Sequence, residues 1–549
     1  MSNNDREEEK EGDGLKNNTE GLENREDAIL PEEHVYASMK SLEQEIEDFL
    51  SQYLPDYLFD IKSSPSRKVV HDGLWGTLQM KPTEICFMDT PLVQRLRQIH
   101  QMGFAYFTYP STKHSRFEHT LGVMLQAEKL GKALIKLDGE QRINEADIDK
   151  MRLAALFHDL GHGPFSHSSE EIFGVHPYIE KLKKEHPAAQ SHEIISYLII
   201  RSQRFKKFCE KIVGICPPPT DIIPDEIASY IIGEGDPSLR YKRELINGPF
   251  DSDKLDYLFR DSHFSGLPLS IDLDRLWYTV RIQRAKGQPR LIVTHSGATP
   301  LEQLLFSKMV LFTTVYHHHK VRACDCMFAG IIEYMKQNGI SMRIGDRKLS
   351  WKSPLDFLWV TDSEFLSFGF ETKDDGLHSL IHNLFFRRLL KRAIIISNKT
   401  IQRKDDDKYD ELMKHKKKSS ESSKARREIA NRIWELAGKP CLPQEIWLDL
   451  PESPQMKAAD DTFVLPAEMQ GEEPIALNEL FPTGKWVQQY GMNKWRGHVF
   501  CPANLCEKVG KAAKSVLEDE YGIEILPEAF TWCKNVSPQK PARSSAPSK

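Results

Sequence analysis

The side chains best suited to chemistry lie in one short stretch, residues 158–167, which contains His158, Asp159, His162 and His167. Imidazoles and carboxylates are metal ligands and proton-transfer groups. An apolar run precedes the stretch and Gly and Pro residues interrupt it, so we expect a buried helix that ends at His158. Because buried ionisable groups are costly unless they are paired or bind a metal, the pattern favours a metal or catalytic site over hydrogen-bonded core histidines.

Two further helices can bring ligands to such a site. Residues 117–134 place His119 among apolar residues on one helical face, which suits an inward-pointing ligand and a structural core histidine equally well. Residues 251–261 form a second helix, whose polar face consists of Asp253, Asp256, Tyr257, Arg260 and Asp261. That face is either a solvated one with an ion pair between Asp256 and Arg260, or the wall of a cleft.

Two histidines and two aspartates from three helices can enclose one divalent cation. His119, His158, Asp159 and Asp253 form a ligand set that accommodates iron, manganese or zinc, or magnesium together with nucleotide phosphates. Such a cation lowers the pKa of a bound water molecule and stabilises charge on a phosphoryl oxygen. The set therefore fits the hydrolysis of a phosphate ester.

The elements that must hold these side chains are mostly helices, because helical periodicity dominates the chain. Short strands are predicted at Lys68–Val70, Thr77–Met80 and Arg290–Thr294. With 549 residues, 40% of them apolar, the chain can bury a sizeable core, which excludes a wholly disordered protein. We predict a mainly α fold with a helical core, a few short strands and a smaller mixed α+β C-terminal lobe.

Composition divides the chain into segments. The whole chain has a net charge of −6, and its first 33 residues carry twelve acidic and four basic side chains, a balance of −8. The remaining residues therefore sum to +2, which is nearly neutral. The predicted units are a disordered acidic tail at 1–33, a short helix and linker at 34–65, the helical core at 66–400, a charged linker at 401–427, the α+β lobe at 428–534 and a disordered tail at 535–549.

The same composition restricts location and partners. Nine scattered cysteines, no apolar run of membrane length and no secretory signal predict a reduced cytoplasmic protein without a membrane partner, with the nucleus as an alternative location. Near-neutral charge argues against a strongly basic nucleic-acid-binding protein. The Lys-rich residues 414–418 nevertheless leave nucleic acid as a potential partner.

The order His119, His158-Asp159, Asp253 resembles the H…HD…D signature of the HD-domain phosphohydrolases. The likeness extends to neighbouring motifs, because residues 89–97, 109–110, 114–122 and 158–167 resemble those of the deoxynucleoside triphosphate triphosphohydrolases, over about residues 66–330. The branch that joins a sterile-alpha-motif module to the HD core is the most similar. Residues 34–60 are too few for that module.

The resemblance implies a mostly helical core that hydrolyses deoxynucleoside triphosphates at the α-phosphorus to deoxynucleoside and inorganic triphosphate, in control of nucleotide pools. The implied metal ligands are His119, His158, Asp159 and Asp253. The implied substrate contacts are Arg116 to the α-phosphate, Lys254 and Tyr257 to the triphosphate, and Gln101 and Asp261 to the 3′-hydroxyl. The implied residues for proton transfer and the cleft wall are His167, His162, His192 and Glu170.

Within that implied group, His167 protonates the leaving 5′ oxygen, and Glu170 stands where the family has an Asp. The chain departs from the family further on. Counting back from Lys320 places His317 at the sugar-excluding Tyr and Met309 at a phosphate-binding Arg, and a one-residue bulge would restore Tyr316 to the substrate. Residues 317–319 are expected in a helical segment, with metal binding as an alternative.

Five residues match the first nucleotide-effector pocket of regulated family members: Lys68, Val69, Asp89, Gln94 and Arg97. The resemblance therefore implies a GTP or deoxynucleotide effector and a homo-oligomer, either dimer or tetramer. The residues alone offer the alternative that Asp89 caps a helix and Arg97 forms a structural salt bridge.

Two other functions compete with the one that the resemblance implies. The first is a phosphohydrolase that acts on another nucleotide or on an oligonucleotide. The second is a nucleic-acid-binding protein whose HD site is vestigial. The complete set of four ligands and the presence of His167 favour an enzyme over a vestigial site.

Overall fold

The computed structural model describes residues 32–217, 222–452, 461–466 and 473–530. Helices dominate, as the sequence predicts. The α-helices are α1 (Glu32–Tyr53), α2 (Pro82–Met88), α3 (Pro91–Gln94), α4 (Arg116–Leu137), α5 (Glu145–Phe157), α6 (His167–Phe173), α7 (Pro177–Glu185), α8 (Ser191–Arg201), α9 (Gln203–Ile215), α10 (Pro224–Ile232), α11 (Arg240–Arg243), α12 (Ser252–Ser265), α13 (Leu273–Thr279), α14 (Ala298–Leu311), α15 (His319–Gln337), α16 (Asp362–Glu371), α17 (Asp375–Phe385), α18 (Asp406–Lys414), α19 (Ser420–Leu436), α20 (Leu477–Leu480), α21 (Thr483–Lys494) and α22 (Cys506–Tyr521).

The strands are short and form small sheets. They are β1 (Lys68–Asp72), β2 (Gly76–Met80), β3 (Val280–Ala285), β4 (Gln288–Thr294), β5 (Met342–Ile344), β6 (Arg347–Leu349), β7 (Lys391–Ile396), β8 (Ile401–Arg403), β9 (Trp447–Asp449), β10 (Phe463–Leu465), β11 (Ile475–Ala476), β12 (Gly497–Cys501) and β13 (Ile523–Ile525). The sheet orders are β1-β2, β11-β10-β4-β3, β7-β12-β9, β13-β8 and β5-β6, and among these only β10 and β4 pair in parallel. The three strands expected from the sequence are present as β1, β2 and β4.

Helices α4, α5 and α12 begin or end close to the predicted ligands. Ser115 caps α4 and accepts the N–H of Glu118, whose side chain binds back in a capping box. Asp251 caps α12 by accepting the N–H of Lys254 at 2.8 Å. Helix α5 ends at Phe157, so the His158-Asp159 pair follows its last turn. Each ligand therefore lies within a few residues of a fixed helix end.

Two glycines allow close packing around the site, one between α4 and α12 and one between the turn after α5 and helix α8. A Cβ added to Gly122 of α4 would lie 1.8 Å from Asp256 Oδ1 of α12, and one added to Gly161 would lie 2.1 Å from the carbonyl oxygen of His192. Any larger residue would therefore push α12 or α8 away from the site.

The C-terminal lobe has a hydrophobic core of its own, formed by buried residues between Ala393 and Ala529. Residues 401–427, which we expected to be a charged linker, lie in β8, α18 and the first part of α19. Tyr409 and Leu412 of α18 are buried in the lobe core, although the rest of that helix is highly charged. We propose that the lobe begins at β7.

The remaining predicted segments are the tails and the N-terminal helix. Helix α1 begins at Glu32, nine residues before the predicted Ser41. Apart from Glu32 and Glu33, the two predicted disordered tails lie outside the described residues. Among the helices described, none combines the length and the apolar character that crossing a bilayer requires.

Candidate active site and metal centre

The four predicted metal ligands come together at the junction of α4, α12 and the end of α5. His119 Nε2 lies 3.0 Å from Asp253 Oδ1 and 3.8 Å from Asp159 Oδ2, and His158 Nε2 lies 3.3 Å from Asp159 Oδ1 and 3.9 Å from Asp253 Oδ1. Three of these side chains are buried, whereas that of Asp253 is 35% exposed. The exposed carboxylate leaves one side of the group open to a ligand.

The donor atoms of this group fit a divalent cation. His119 Nε2, His158 Nε2 and Asp159 Oδ1 are buried and have no well-formed hydrogen bond to any of the described residues. Buried polar atoms in proteins are almost always hydrogen-bonded, so three unsatisfied atoms that face one another need an explanation. His119, His158 and Asp253 converge closely enough to hold a metal ion, which would satisfy both imidazole nitrogens, and Asp159 Oδ1 lies 3.3 Å from His158 Nε2 beside them.

Asp256 orients His119, a role that the sequence did not assign. Its Oδ2 pairs with His119 Nδ1 at 2.8 Å, and the same carboxylate accepts hydrogen bonds from Arg260 at 2.8 and 3.0 Å and from the Trp75 indole at 2.5 Å. The predicted Asp256–Arg260 pair is therefore present, but it is buried and not solvated. A carboxylate behind a ligating His fixes the ring so that Nε2 faces the metal.

Arg116 and Asp159 form a buried ion pair at 2.8 Å beside the metal group. Burial alone would raise the pKa of Asp159, but the Arg116 guanidinium and the surrounding imidazoles hold it well below its ordinary value. Arg116 Nε also donates to Ser166 Oγ at 2.9 Å. Asp159 is therefore ionised, and its ion pair fixes the Arg116 guanidinium beside the predicted metal ligands.

The second group of chemical side chains consists of His162, His167, Glu170 and His192. Glu170 connects them, because Oε2 pairs with His167 Nδ1 at 2.7 Å and Oε1 lies 3.2 Å from His192 Nδ1. His162 stacks on His192 with ring centroids 3.9 Å apart, and its Nε2 lies 3.4 Å from Asp159 Oδ1. The group therefore adjoins the metal ligands and could itself hold a cation or transfer protons.

The pKa values within this group differ. Burial lowers the pKa of His162 well below its ordinary value. Burial would raise the pKa of Glu170, but the His192 and His167 imidazoles hold it well below its ordinary value, so Glu170 accepts the Nδ1–H of His167. Burial of the ring, together with the nearby Arg116 and His192, lowers the pKa of His167 against the effect of Glu170, although 59% of the side chain is exposed.

A strained turn precedes His167. Phe165 and Ser166 adopt positive φ angles of 57° and 54°, which are uncommon for residues other than glycine. Asp362 accepts the Phe165 N–H at 2.7 Å and the His100 N–H at 3.0 Å, and Ser166 Oγ donates to the His100 carbonyl at 2.6 Å. These hydrogen bonds hold the backbone in a conformation that aims α6 and its first residue at the cleft.

Two lysines lie at the Asp253 side of the site. Lys254 Nζ contacts Asp251 Oδ2 at 2.5 Å, and the neighbouring carboxylates raise the pKa of Lys254 despite its burial. Burial and the nearby Lys254 lower the pKa of Lys308 to about 8. Tyr257 lies in the same region, where burial and the nearby carboxylates raise its pKa well above the ordinary value.

The one-residue bulge that would restore Tyr316 is present as a π-helical turn, Phe312–Tyr316, between α14 and α15. Its extra residue brings the Tyr316 hydroxyl onto Asp261 Oδ2, while Asp261 Oδ1 pairs with His114 Nε2 at 2.7 Å. Gln101 lies buried with its amide oxygen unpaired among the described residues. With the turn counted, the position matched to the family's phosphate-binding Arg shifts from Met309, a core residue 1% exposed, to Lys308.

The residues of the predicted effector pocket lie at the surface. Lys68 Nζ pairs with Asp89 Oδ2 at 2.5 Å, Val69 is exposed, and Gln94 Oε1 accepts from Arg97 Nε at 2.7 Å. Asp89 is the C-cap residue of α2 through its backbone N–H, while its side chain pairs with Lys68. The Arg97 guanidinium donates to Gln94 and lies over an aromatic ring.

Known families match both the site and the C-terminal half of the chain. The model of the HD domain matches residues 116–227, which contain three of the four predicted ligands. The model of an HD associated region matches residues 271–521. The chain is an HD-domain protein.

This HD-domain protein spans about half the length of the curated relatives it matches. It is 28% identical to the deoxynucleoside triphosphate triphosphohydrolase SAMHD1 of Bos taurus over 63% of this chain and 61% of that protein. It is 34% identical to the Mus musculus SAMHD1 over 39% of this chain and 34% of that protein. It is 29% identical to an uncharacterized protein of Methanocaldococcus jannaschii over 50% of this chain and 52% of that protein.

A solved structure shares the fold of this HD-domain protein. The crystal structure of a hypothetical protein from Aquifex aeolicus aligns with a TM-score of 0.56 and 23% sequence identity, over 82% of this chain and 100% of that chain. The mainly α architecture is therefore one that other proteins adopt.

Three residues that support the HD site were not assigned from the sequence: Asp256, Asp362 and Arg95. Arg95 donates to the carbonyl oxygens of His162 and Leu160 at 2.8 and 2.6 Å, and so anchors the turn that follows the His-Asp pair. The helical spacing places Asp256 on the same face as Asp253, but its contact with His119 lies between two helices and leaves no local signal. Asp362 and Arg95 are distant along the chain from the residues they hold, and no spacing indicates them.

Proposed function

We propose that this HD-domain protein is a metal-dependent phosphohydrolase that cleaves deoxynucleoside triphosphates to deoxynucleoside and inorganic triphosphate. The observation that supports it best is the convergence of unsatisfied donor atoms from His119, His158 and Asp159 beside Asp253, next to Arg116. The SAMHD1 proteins to which the chain is similar bear the name of that activity.

His119, His158, Asp159 and Asp253 would hold the divalent cation. When bound, the cation supplies a Lewis acid that lowers the pKa of a water molecule and neutralises phosphoryl charge. Iron, manganese, zinc and magnesium all remain compatible with two imidazoles and two carboxylates.

The cationic side chains orient the triphosphate. Arg116 is buried beside Asp159 and suits the α-phosphate, because a guanidinium binds phosphate oxygens through two parallel N–H groups. Lys254, Tyr257 and Lys308 are placed to bind the outer phosphates. The water oxygen attacks the α-phosphorus as the bond from phosphorus to the 5′ oxygen breaks.

His167 supplies the proton that the leaving 5′ oxygen needs. Ionised Glu170 accepts the Nδ1–H, so that Nε2 is free to face the substrate, and the negative phosphates favour the imidazolium form there. His162 and His192 line the same cleft. Because the Asp of the family is replaced by Glu170, the acid pair depends on the longer Glu side chain reaching both His167 and His192.

Asp261, Gln101 and Tyr316 would recognise the sugar. Asp261 and Gln101 suit the 3′-hydroxyl, since one accepts hydrogen bonds and the other both donates and accepts them. Tyr316 is fixed on Asp261 and would stand where a 2′-hydroxyl has to fit, which would exclude ribonucleotides.

Regulation and assembly belong to the same proposal. Lys68, Val69, Asp89, Gln94 and Arg97 would bind a GTP or deoxynucleotide effector, and the active form would be a homo-oligomer. We propose a cytoplasmic or nuclear location, where such nucleotides occur.

The test is a substrate panel in ¹⁸O-labelled water with the metal-loaded full chain. Each deoxynucleotide and ribonucleotide triphosphate, a monophosphate and a short oligonucleotide are incubated, and the products are identified by ion chromatography and mass spectrometry. We expect inorganic triphosphate that carries one ¹⁸O atom from the deoxynucleotides alone, and none from Asp253→Asn.

Two results would contradict the proposal. Label in a nucleoside monophosphate, with release of pyrophosphate, would place the attack at a different bond. Equal cleavage of ribonucleotides, or cleavage of the oligonucleotide alone, would favour the alternative phosphohydrolase.

A further inference from the structure

Helix α6, whose first residue is His167, is held from two sides. On one side Glu170 binds His192 and accepts the N–H of Ser191 at 2.9 Å. On the other side Ser168 and Glu171 contact helix α15. Ser168 Oγ donates to Asp325 Oδ1 at 2.6 Å, and Glu171 lies 3.3 Å from the Arg322 guanidinium. Only the second contact leads away from the HD core.

Arg322 connects this face of α6 to the C-terminal lobe. Its Nη2 lies 2.7 Å from Asp449 Oδ1 on β9, and Asp449 in turn lies 3.4 Å from His498 on β12. The lobe makes a second contact through Lys418, whose Nζ lies 3.2 Å from Glu171 Oε1. Two ion pairs from the lobe therefore end on one residue pair, Arg322 and Glu171.

The Arg322–Asp449 pair is the stronger of these two contacts. Asp449 is 4% exposed, and although burial alone would raise its pKa, the Arg322 guanidinium holds the pKa well below its ordinary value. The three nearby carboxylates keep the pKa of Arg322 well above its ordinary value despite burial. Lys418 is 49% exposed, so solvent screens its attraction to Glu171.

We propose that the C-terminal lobe positions His167 through Arg322, Asp449 and Lys418. Ser168 and Glu171 lie within about one helical turn of His167, so their contacts with Asp325 and Arg322 restrain the start of α6 from the side of α15. Loss of the lobe contact would let α6 shift, and a shift of about 1 Å suffices to slow proton transfer strongly. The proposal rests on the proposed function, in which His167 is the general acid.

The test compares Asp449→Asn with a matched control at the same interface. Arg427 of α19 pairs with Glu333 of α15 at 2.9 Å, so Glu333→Gln removes an ion pair between the same lobe and the same helix without touching α6. In the metal-loaded full chain, we expect Asp449→Asn to lower kcat about tenfold with KM within twofold. Glu333→Gln should leave both within twofold.

A double-mutant cycle separates positioning from general destabilisation. If Asp449 acts through His167, then adding Asp449→Asn to His167→Ala should cost no further activity. Losses that multiply, or an equal loss in Glu333→Gln, would overturn the proposal and leave the lobe contact as a source of stability only.

Labelling of His167 by diethyl pyrocarbonate gives a readout that needs no substrate. The rate at His167, measured by peptide mass spectrometry, should rise at least threefold in Asp449→Asn and stay unchanged in Glu333→Gln, because a shifted α6 releases Nδ1 from Glu170. Unchanged labelling would overturn the positioning role. If wild type cleaves no nucleotide but the labelling changes as expected, the proposed function fails and the positioning role stands.

Discussion

At the scale of single residues, the site is defined by an excess of carboxylates around one imidazole. Burial would lower the pKa of His119, but Asp253, Asp256 and Asp159 outweigh it and raise the pKa to about 10. The same carboxylates that favour a positive charge on His119 would favour a divalent cation beside it. Because metal ligation needs the neutral ring, a metal ion and a proton would compete for His119 Nε2.

Lys308 provides a prediction for pH dependence at this scale. Its pKa is lowered to about 8, so its cation is present below pH 8 and is lost as pH rises through that value. If Lys308 binds outer phosphates, KM for a deoxynucleoside triphosphate should rise between pH 7 and pH 9. Lys308→Met should raise KM about tenfold at pH 7, as expected for one lost charge-assisted contact, and abolish the pH dependence.

The neighbouring residue gives the control. Met309→Leu changes a buried core side chain and should leave KM and its pH dependence within twofold. A KM that is equally sensitive to Met309→Leu, or insensitive to Lys308→Met, would contradict the phosphate role of Lys308.

At the scale of elements, the sequence predicts the helices of the site well, because capping residues and apolar periodicity are local signals. The π-helical turn at Phe312–Tyr316 is different. The motif spacing fits Tyr316 only if one extra residue is present there, but spacing alone cannot distinguish a bulge from a substitution of the family's Tyr by His317. The charged residues 401–427 show a second limit of prediction from composition. Their composition indicates a solvated segment, but the buried side chains of Tyr409 and Leu412 attach α18 to the core of the C-terminal lobe.

Gly122 tests the close packing of α4 on α12. Intrinsic helix propensity predicts that Gly→Ala stabilises a helix by about 1 kcal/mol. At Gly122 the added Cβ would meet Asp256 Oδ1, which is fixed by hydrogen bonds from Trp75 and Arg260, so we expect destabilisation by about 2 kcal/mol or more and a loss of metal affinity.

Gly214 of α9 is the matched control, because nothing lies within 4 Å of its added Cβ. Gly214→Ala should leave the free energy of unfolding unchanged or raise it by up to about 1 kcal/mol, as measured by chemical denaturation. If Gly122→Ala were as stable as Gly214→Ala and retained metal, the helices could not be packed as described.

At the scale of the whole molecule, the site joins residues that are far apart along the chain. His119 and Asp253 were candidates on their own helices, but no periodicity could show that they meet His158, nor that Asp362 and Arg95 hold the loops between them. Long-range contacts of this kind depend on the packing of every element. The resemblance to HD-domain proteins predicted that these ligands form one site. The buried unsatisfied atoms of His119 and His158 give a physical reason for a metal ion there.

The central claim, that these distant side chains seat one cation, is tested most directly by metal content. Wild type and the variants His158→Ala and Asp159→Ala are purified with iron, manganese or zinc, and bound metal is measured by elemental analysis, with circular dichroism to verify folding. His378→Ala, on α17 away from the ligands, is the control. We predict about one tightly bound ion in wild type and control, and a loss of both metal and turnover in the two folded ligand variants. Full metal content and full turnover in His158→Ala or Asp159→Ala would contradict the account.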